Sequence, residues 1–370
     1  MTFEVARVGN LPAREGGYDA TVSGPAANIF PDPGQALKEQ LGAVRPGGLV
    51  GGYVWDYAEG MEFPRYFWDA AALMSRPHST IEPTMILVTG AGGKTGQAVT
   101  RALLKRGEPV RALVRTEVQV EDLRGLGEID FAVEDLLDST GMEQTMEGIR
   151  GVYLIAPNVH PEEGRIGEVA IAAARKARVE RFVYHSVLHP QTRQMPHHWQ
   201  KLGVEEMLLE SGLSFTILQP AAYMQNLLPL WDTVMTEGAY RVPYGEGGVL
   251  SLVDLEDVAE VAARMLTDPG HEGAVYELAG PEPLSPEEIA QVLSGSLELE
   301  VGAESISLES WTEQARAAGM SDYSVEALVR MFRYYDRSGL RGNPRVLQWL
   351  LERSPTNLSE FVDRTIRSRP

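Results

Sequence analysis

The chain has 370 residues, 44% of them apolar and 23% charged, a globular composition long enough for two domains or one large domain with an appendage. Its 52 acidic and 33 basic side chains give a formal charge of −19, which repels phosphate backbones and anionic lipid and so argues against nucleic acid or a membrane as partner. The absence of cysteine excludes disulfides and thiolate zinc sites, and no signal-peptide core or long apolar run is present, so the expected setting is cytoplasmic.

In residues 1–84, YDATVSG reads as a strand and PDPGQALKEQLGAV as a helix opened by a proline turn. RPGG and LVGGYVW read as a turn and a second strand, and MEFPRYFWDAA as a further helix. The polar, proline-punctuated SRPHSTIEPT reads as a linker. This segment resembles the second half of a class I SAM-dependent methyltransferase, in the strand, helix and Arg-Pro-Gly-Gly turn that follow that family's cofactor site. The half carrying the glycine-rich SAM loop has no counterpart here. The expectation is therefore a truncated appendage without methyltransferase activity.

At residue 85 the pattern changes. MILVT is a short β-branched apolar run, GAGGKTG a glycine turn, QAVTRALLKRG an amphipathic helix with Gly107 just past its end, and PVRALVR a second strand. Strand, glycine turn, helix and strand make the βαβ unit that binds a dinucleotide. Gly90, Gly93 and Gly96 would allow the tight turn, the approach to a pyrophosphate, and the packing of helix on strand. Gly92, Lys94 and Thr95 complete the expected phosphate contacts. GGKT is not a P-loop, because Val88 stands where that motif needs glycine. The glycines of RPGGLVGG enter a strand and offer no helix N-terminus.

A carboxylate at the end of the second strand suits the ribose 2′-hydroxyl of NAD, and a cation suits the 2′-phosphate of NADP. Arg115 stands there, with Lys94 in the turn as a second positive charge, so NADP(H) is favoured over NAD(H). In the other reading Arg115 is a solvated strand-end residue and Glu117 serves the ribose.

IDFAVEDLLD, GVYLIAPN, RFVYHSVL and SFTILQP supply four more strands, with the alanine-rich helix EEGRIGEVAIAAARKARV between the fourth and fifth. Asp135 and Leu136 point the third strand towards an adenine, and Ala156 and Pro157 follow the fourth. The fold class is α/β: a doubly wound parallel Rossmann sheet over 85–220, a smaller C-terminal α/β substrate region over 221–370, and a partial α/β appendage over 1–84.

TGAGGKTG, ALVR, VYLIAPN, HHWQKLGVEEMLLESGLSFTILQPAAYMQN, LVDLEDVAEVAARML and YELAGPEPLS, in that order, resemble the NmrA-like branch of the atypical short-chain dehydrogenase/reductases. The resemblance implies an NADP(H)-binding Rossmann domain. It also implies one of two activities: reduction of quinones, dyes or related acceptors, or nucleotide sensing without turnover. Lys201 matches the lysine of the superfamily's Tyr-x-x-x-Lys signature, but His197 replaces the tyrosine. By this resemblance Lys201 lies beside the nicotinamide ribose, as in isoflavone-reductase-like proteins, which use the lysine without the tyrosine. The other reading pairs Lys201 with Glu205 on the helix surface.

His185, His189, His197 and His198 cluster within fourteen positions, but no HExxH spacing or carboxylate pattern supports a metal site. His185 or His197 as a proton relay fits better, since imidazole titrates near neutral pH. His185 and Ser186 stand at the carboxyl end of the fifth strand. Tyr223, Met224 and Trp231 are either a substrate wall or plain core. The expected function is NADPH-dependent hydride transfer to a small quinone-like, dye or other unsaturated acceptor, with a non-catalytic NADP(H)-sensing regulator as the alternative. The sequence is compatible with a homodimer.

Overall fold

A computed structural model describes residues 16–23, 33–52, 84–245 and 247–368. The chain divides into two compact units, residues 1–80 and 81–370. In the first, β1 (Tyr18–Ser23), α1 (Pro33–Ala43) and β2 (Val44–Gly52) form a strand–helix–strand unit whose two strands pair in parallel. RPGG falls inside β2, which meets β1 across a register shift between Tyr18 and Ala20, so it is not a separate turn. The expected helix MEFPRYFWDAA and nearly all of the linker lie outside the described residues.

The second unit alternates strands and helices: β3 (Met85–Val88), α2 (Lys94–Lys105), β4 (Val110–Val114), α3 (Glu117–Leu123), β5 (Asp130–Val133), α4 (Ser139–Thr145), β6 (Ile149–Leu154), α5 (Glu163–Ala177), β7 (Arg181–His185), α6 (Pro196–Glu210) and β8 (Phe215–Pro220). Beyond these come α7 (Trp231–Glu237), β9 (Ala239–Val242), β10 (Leu250–Ser251), α8 (Leu255–Thr267), β11 (Ala274–Leu278), β12 (Pro283–Leu284), α9 (Pro286–Leu297), β13 (Gly302–Ser305), α10 (Leu308–Ala317), α11 (Asp322–Ser338), α12 (Pro344–Leu351) and α13 (Leu358–Ser368).

Seven strands form one parallel sheet in the order β11-β8-β7-β6-β3-β4-β5. The sequence reading gave six of them. The seventh, β11, comes from AVYEL, so residues beyond 220 contribute both a sheet strand and, through α8, a helix packed against the sheet. The order of strands reverses between β3 and β6, which opens a crevice at their carboxyl ends. Thr89 ties the two strand ends together there: its Oγ1 donates to Ile155 O and accepts from Ile155 N, both at 2.8 Å.

Two hydrophobic cores lie on opposite faces of the sheet. Ile86 and Val88 of β3 join one with α2 and α8, and Leu87 joins the other with Val152, Leu154 and α5. The period-2 alternation therefore holds even where every position is buried, as a strand covered on both faces requires. On α2, Val99 and Leu103 are fully buried, each worth roughly 1.5–3 kcal/mol of apolar transfer. Gly107, at φ +78°, ends the chain's helical run in the left-handed region that favours glycine.

The C-terminal helices are tied to the sheet through buried carboxylates. Asp254, the N-cap of α8, has no exposed surface; it accepts from Gln225 Nε2 at 2.7 Å, from Glu256 N at 3.2 Å and from Arg364 Nη2 on α13 at 2.7 Å. Asp257 accepts from Arg353 at 2.8 Å and from the Thr356 amide at 2.7 Å. Among the described residues no helix is long and apolar enough to cross a membrane.

Candidate functional site

The glycine turn is shaped by two close approaches. Gly90 has φ +57°, and a Cβ there would stand 3.1 Å from the Ile155 side chain. A Cβ on Gly96 would stand 2.3 Å from Gly90 O and 2.6 Å from Ala91 Cα, which only backbone movement could relieve. Gly93 is the N-cap of α2 in extended conformation with no side chain capping the helix, so the first-turn amides are left to a ligand. Lys94 and Arg115 are exposed beside the turn, and neither forms an ion pair among the described residues. The Arg115 amide donates to Gln119 Oε1 at 2.9 Å, which fixes the backbone and leaves the guanidinium unengaged.

A cavity of about 880 Å³ starts at this turn, within the roughly 300–1,000 Å³ of small-molecule sites. It is lined by Gly90, Gly92, Gly93, Lys94, Thr95 and Gly96, and by Arg115, Leu136, Ala156 and Pro157. It then passes His185, Ser186, His197, His198, Lys201 and Tyr223 and ends among Tyr244, Trp311 and Phe332. Of the residues expected at the cofactor, Asp135 alone is off this wall; its carboxylate accepts from the Leu137 amide at 2.9 Å and shapes the loop that presents Leu136. Met224 and Trp231 are also off it. They are 1% and 6% exposed within the core, so of the expected aromatic and methionine wall only Tyr223 faces the cavity.

Lys201, on α6, donates to Glu163 Oε1 at 2.6 Å and to His185 O at 3.3 Å. The alternative pairing of Lys201 with Glu205 does not form: Glu205 is taken by the Ser186 hydroxyl and by Gln219 Nε2 at 2.9 and 3.0 Å. Burial pushes the Glu205 carboxyl up, against the pull of those two hydrogen bonds and of Lys201. Glu163 is 1% exposed and also accepts the Tyr184 hydroxyl at 2.9 Å. It opens α5 after β6, and α5 packs against α6, so the pairing exists only in the folded sheet. Nothing in the spacing of Glu163 and Lys201 announces it.

Three of the histidines are lowered out of the neutral range expected of a proton relay. Burial, with the Lys201 charge adding to it, lowers His185 to about 3 and His197 to about 4. Burial and neighbouring His197 lower His198 to about 3. Both ring nitrogens of His185 are engaged: Nδ1 with the Tyr153 hydroxyl, and Nε2 with the Tyr223 hydroxyl at 2.7 Å. Whatever His185 does to a molecule in the cavity therefore passes through Tyr223. His197 Nδ1 is buried without a partner, and His198 Nδ1 lies 3.4 Å from His189 O. His189 faces Glu277 at 3.8 Å, off the cavity wall. Among the described residues no three His, Asp or Glu side chains are placed to hold a metal ion.

The far end of the cavity was missed at the sequence level. Trp311 of α10 and Phe332 of α11 meet edge to face at 4.8 Å, and Tyr244 stacks on Phe332 at 6.1 Å. They come from three separate segments, and only the tertiary fold brings them together.

An open helix N-terminus at a glycine turn, two unpaired cations beside it and a crevice at the strand reversal define a dinucleotide-binding Rossmann protein. Residues 82–364 match the NmrA-like family, and the chain belongs to it. It is 32% identical to the NAD(P)H azoreductase of Xenophilus azovorans over 251 residues, 67% of this chain and 86% of that one. It is 27% identical to quinone oxidoreductase 2 of Escherichia coli over 280 residues, 75% of this chain and 97% of that one. The crystal structure of the NADPH-dependent quinone oxidoreductase of Escherichia coli with NADPH superposes with a TM-score of 0.67 at 26% identity, covering 76% of this chain and all of that one.

Proposed function

We propose that this protein is an NADPH-dependent reductase that transfers hydride to a small quinone-like, dye or other unsaturated acceptor. One observation carries the reading: a single continuous cavity joins the uncapped α2 N-terminus to an aromatic wall by way of Lys201 and Tyr223. The likeness to an azoreductase and a quinone oxidoreductase supports it. When bound, the reduced nicotinamide supplies the hydride.

The chain's own residues bind, orient and shield. The α2 amides receive the pyrophosphate, and the shortage of room at Gly96 keeps the turn tight against the helix. Lys94 and Arg115, with no carboxylate partners among the described residues, would receive a 2′-phosphate, which supports NADPH over NADH. Leu136, Ala156 and Pro157 offer apolar surface to the adenosine half. Lys201, steadied by Glu163, would hold the nicotinamide ribose with its remaining N–H and would place positive charge where an acceptor gains negative charge. Residues 221–370 serve as the substrate-binding region, through Tyr223 and the Tyr244, Trp311 and Phe332 wall, with Ser186 at its edge.

NADPH and NADH oxidation across a panel of quinones, dyes and enones tests the reading. Turnover with at least one acceptor, faster with NADPH, is the expected result. Tight nucleotide binding with no turnover on any acceptor would replace the reductase by a nucleotide sensor.

A further inference from the structure

Reduction of a quinone needs a proton as well as a hydride, and the position of the superfamily's tyrosine holds His197. A second tyrosine faces the cavity. Tyr223 follows β8, lines the cavity wall together with Thr95 of the glycine turn, and hydrogen-bonds to His185.

The protons in this cluster can be placed one by one. Tyr153 is 0% exposed, and its hydroxyl is bonded to His185 Nδ1. A buried hydroxyl hydrogen left without an acceptor costs roughly 1–3 kcal/mol, so Tyr153 donates and Nδ1 accepts. His185 is neutral at ordinary pH and carries one ring proton. With Nδ1 accepting, that proton sits on Nε2 and is donated to the Tyr223 oxygen at 2.7 Å. The Tyr223 oxygen thus receives a donor from His185, and its own proton is left for a molecule in the cavity. Lys201, by contrast, gives two of its three N–H groups to Glu163 and the His185 carbonyl.

We infer that Tyr223 is the catalytic acid of the reduction, with His185 and Tyr153 as positioning residues that fix the direction of its proton. The inference rests on the reductase reading above. When bound, the reduced dinucleotide would supply a hydride with its two electrons and be left oxidised; the hydride would bond to one atom of the quinone, a π bond of the acceptor would open, and one acceptor oxygen would become an oxyanion. That oxyanion takes the Tyr223 proton: the tyrosine O–H bond breaks and a product O–H bond forms. The Tyr223 phenolate is held by the His185 Nε2–H. Water returns its proton when product leaves. Burial raises Tyr223 above the ordinary tyrosine range, so the proton is retained until a strongly basic product atom appears.

Tyr223→Phe keeps the ring and removes the proton. Two acceptors separate its effects. A quinone needs the proton, whereas a cationic triarylmethane dye takes hydride at carbon and becomes neutral without one. The expected result is a loss of quinone turnover of roughly 10²-fold, with a much smaller loss on the dye. Unchanged quinone turnover, or equal loss on both acceptors, overturns the inference. Nitrogen NMR of ring-labelled histidine in the nucleotide-free protein gives an independent readout: the Nε2–H tautomer of His185 is expected, and the Nδ1–H tautomer overturns the arrangement. Tyr153→Phe, which frees Nδ1, should shift that tautomer balance and slow the quinone reaction more than the dye reaction. A wild type that reduces neither acceptor sinks the reductase reading, while the tautomer still reports on the hydrogen-bond order.

Discussion

The two ends of the cavity are made of different material. The dinucleotide end is backbone: glycines whose missing Cβ atoms let Gly96 sit against Gly90 O, and bare amides at the start of α2. The acceptor end is side chains in a fixed hydrogen-bonded order, Tyr153 to His185 to Tyr223 and Tyr184 to Glu163 to Lys201. Backbone recognition is tolerant of what a side chain is but not of a side chain's presence. A side-chain network has the opposite sensitivity, since removing one member leaves buried groups unpaired.

The largest effect should come from beneath the acceptor end, where Asp254 holds Gln225, two residues after Tyr223, and Arg364 of α13. Asp254→Ala strands a buried amide and a half-buried guanidinium together. The expected loss is about 3 kcal/mol of stability, read from denaturant midpoints. A loss below about 1 kcal/mol, no more than a surface ion pair gives, would show that the C-terminal helices are anchored elsewhere.

Next in size is Lys201→Met, which keeps most of the stem's packing and removes the charge and its donors. Turnover should fall by roughly 10²-fold or more, with NADPH binding reduced only modestly. The variant also leaves Glu163 buried without its counter-ion, so Glu163→Gln made together with Lys201→Met should recover stability but not turnover. Unchanged turnover in the single variant would remove Lys201 from the chemistry.

The same contrast explains what could be read from the sequence. The dinucleotide end lies within residues 85–115, and its strand, turn, helix and strand are dictated by local pattern, so each glycine and Arg115 could be named in advance. The acceptor end gathers residues 153, 163, 185, 201, 223, 311 and 332, which meet only because seven strands order themselves as they do. Lys201 was visible through its family motif, but its partner was not. The local reading offered Glu205, one turn away on α6, and the sheet supplied Glu163 from α5 instead. Trp231 and Met224 failed as wall residues for a related reason: an apolar side chain after a strand carries no mark of which face of the loop it will bury.

Arg115→Ala addresses the dinucleotide end and should have a smaller effect confined to one nucleotide. If the guanidinium binds the 2′-phosphate, NADPH should weaken by about 1.5–3 kcal/mol and NADH hardly at all. Calorimetric titration of both nucleotides measures this directly. Equal weakening of the two would make Arg115 a structural residue and leave the preference to Lys94.

The smallest effect concerns pH and tests the acceptor end without any ligand. His185 is lowered from 6.5 to about 3, by burial first and by the Lys201 charge second. A folded-state value below the unfolded one means that the unfolded chain binds the proton more readily. The contribution is therefore fully present above about pH 6.5 and is lost as pH falls towards about 3. Carboxylates titrate over part of the same window, so the wild-type curve alone does not isolate the histidine. The difference between wild type and His185→Gln does. Their stability gap should be constant above about pH 6.5 and narrow below it by up to roughly 1.4 kcal/mol for each pH unit, since one proton per molecule is at stake. His197 and His198, lowered for similar reasons, remain in both proteins and cancel. A gap that stays constant through this window would mean that His185 is not held neutral between its two tyrosines, and the direction assigned to the Tyr223 proton would lose its footing.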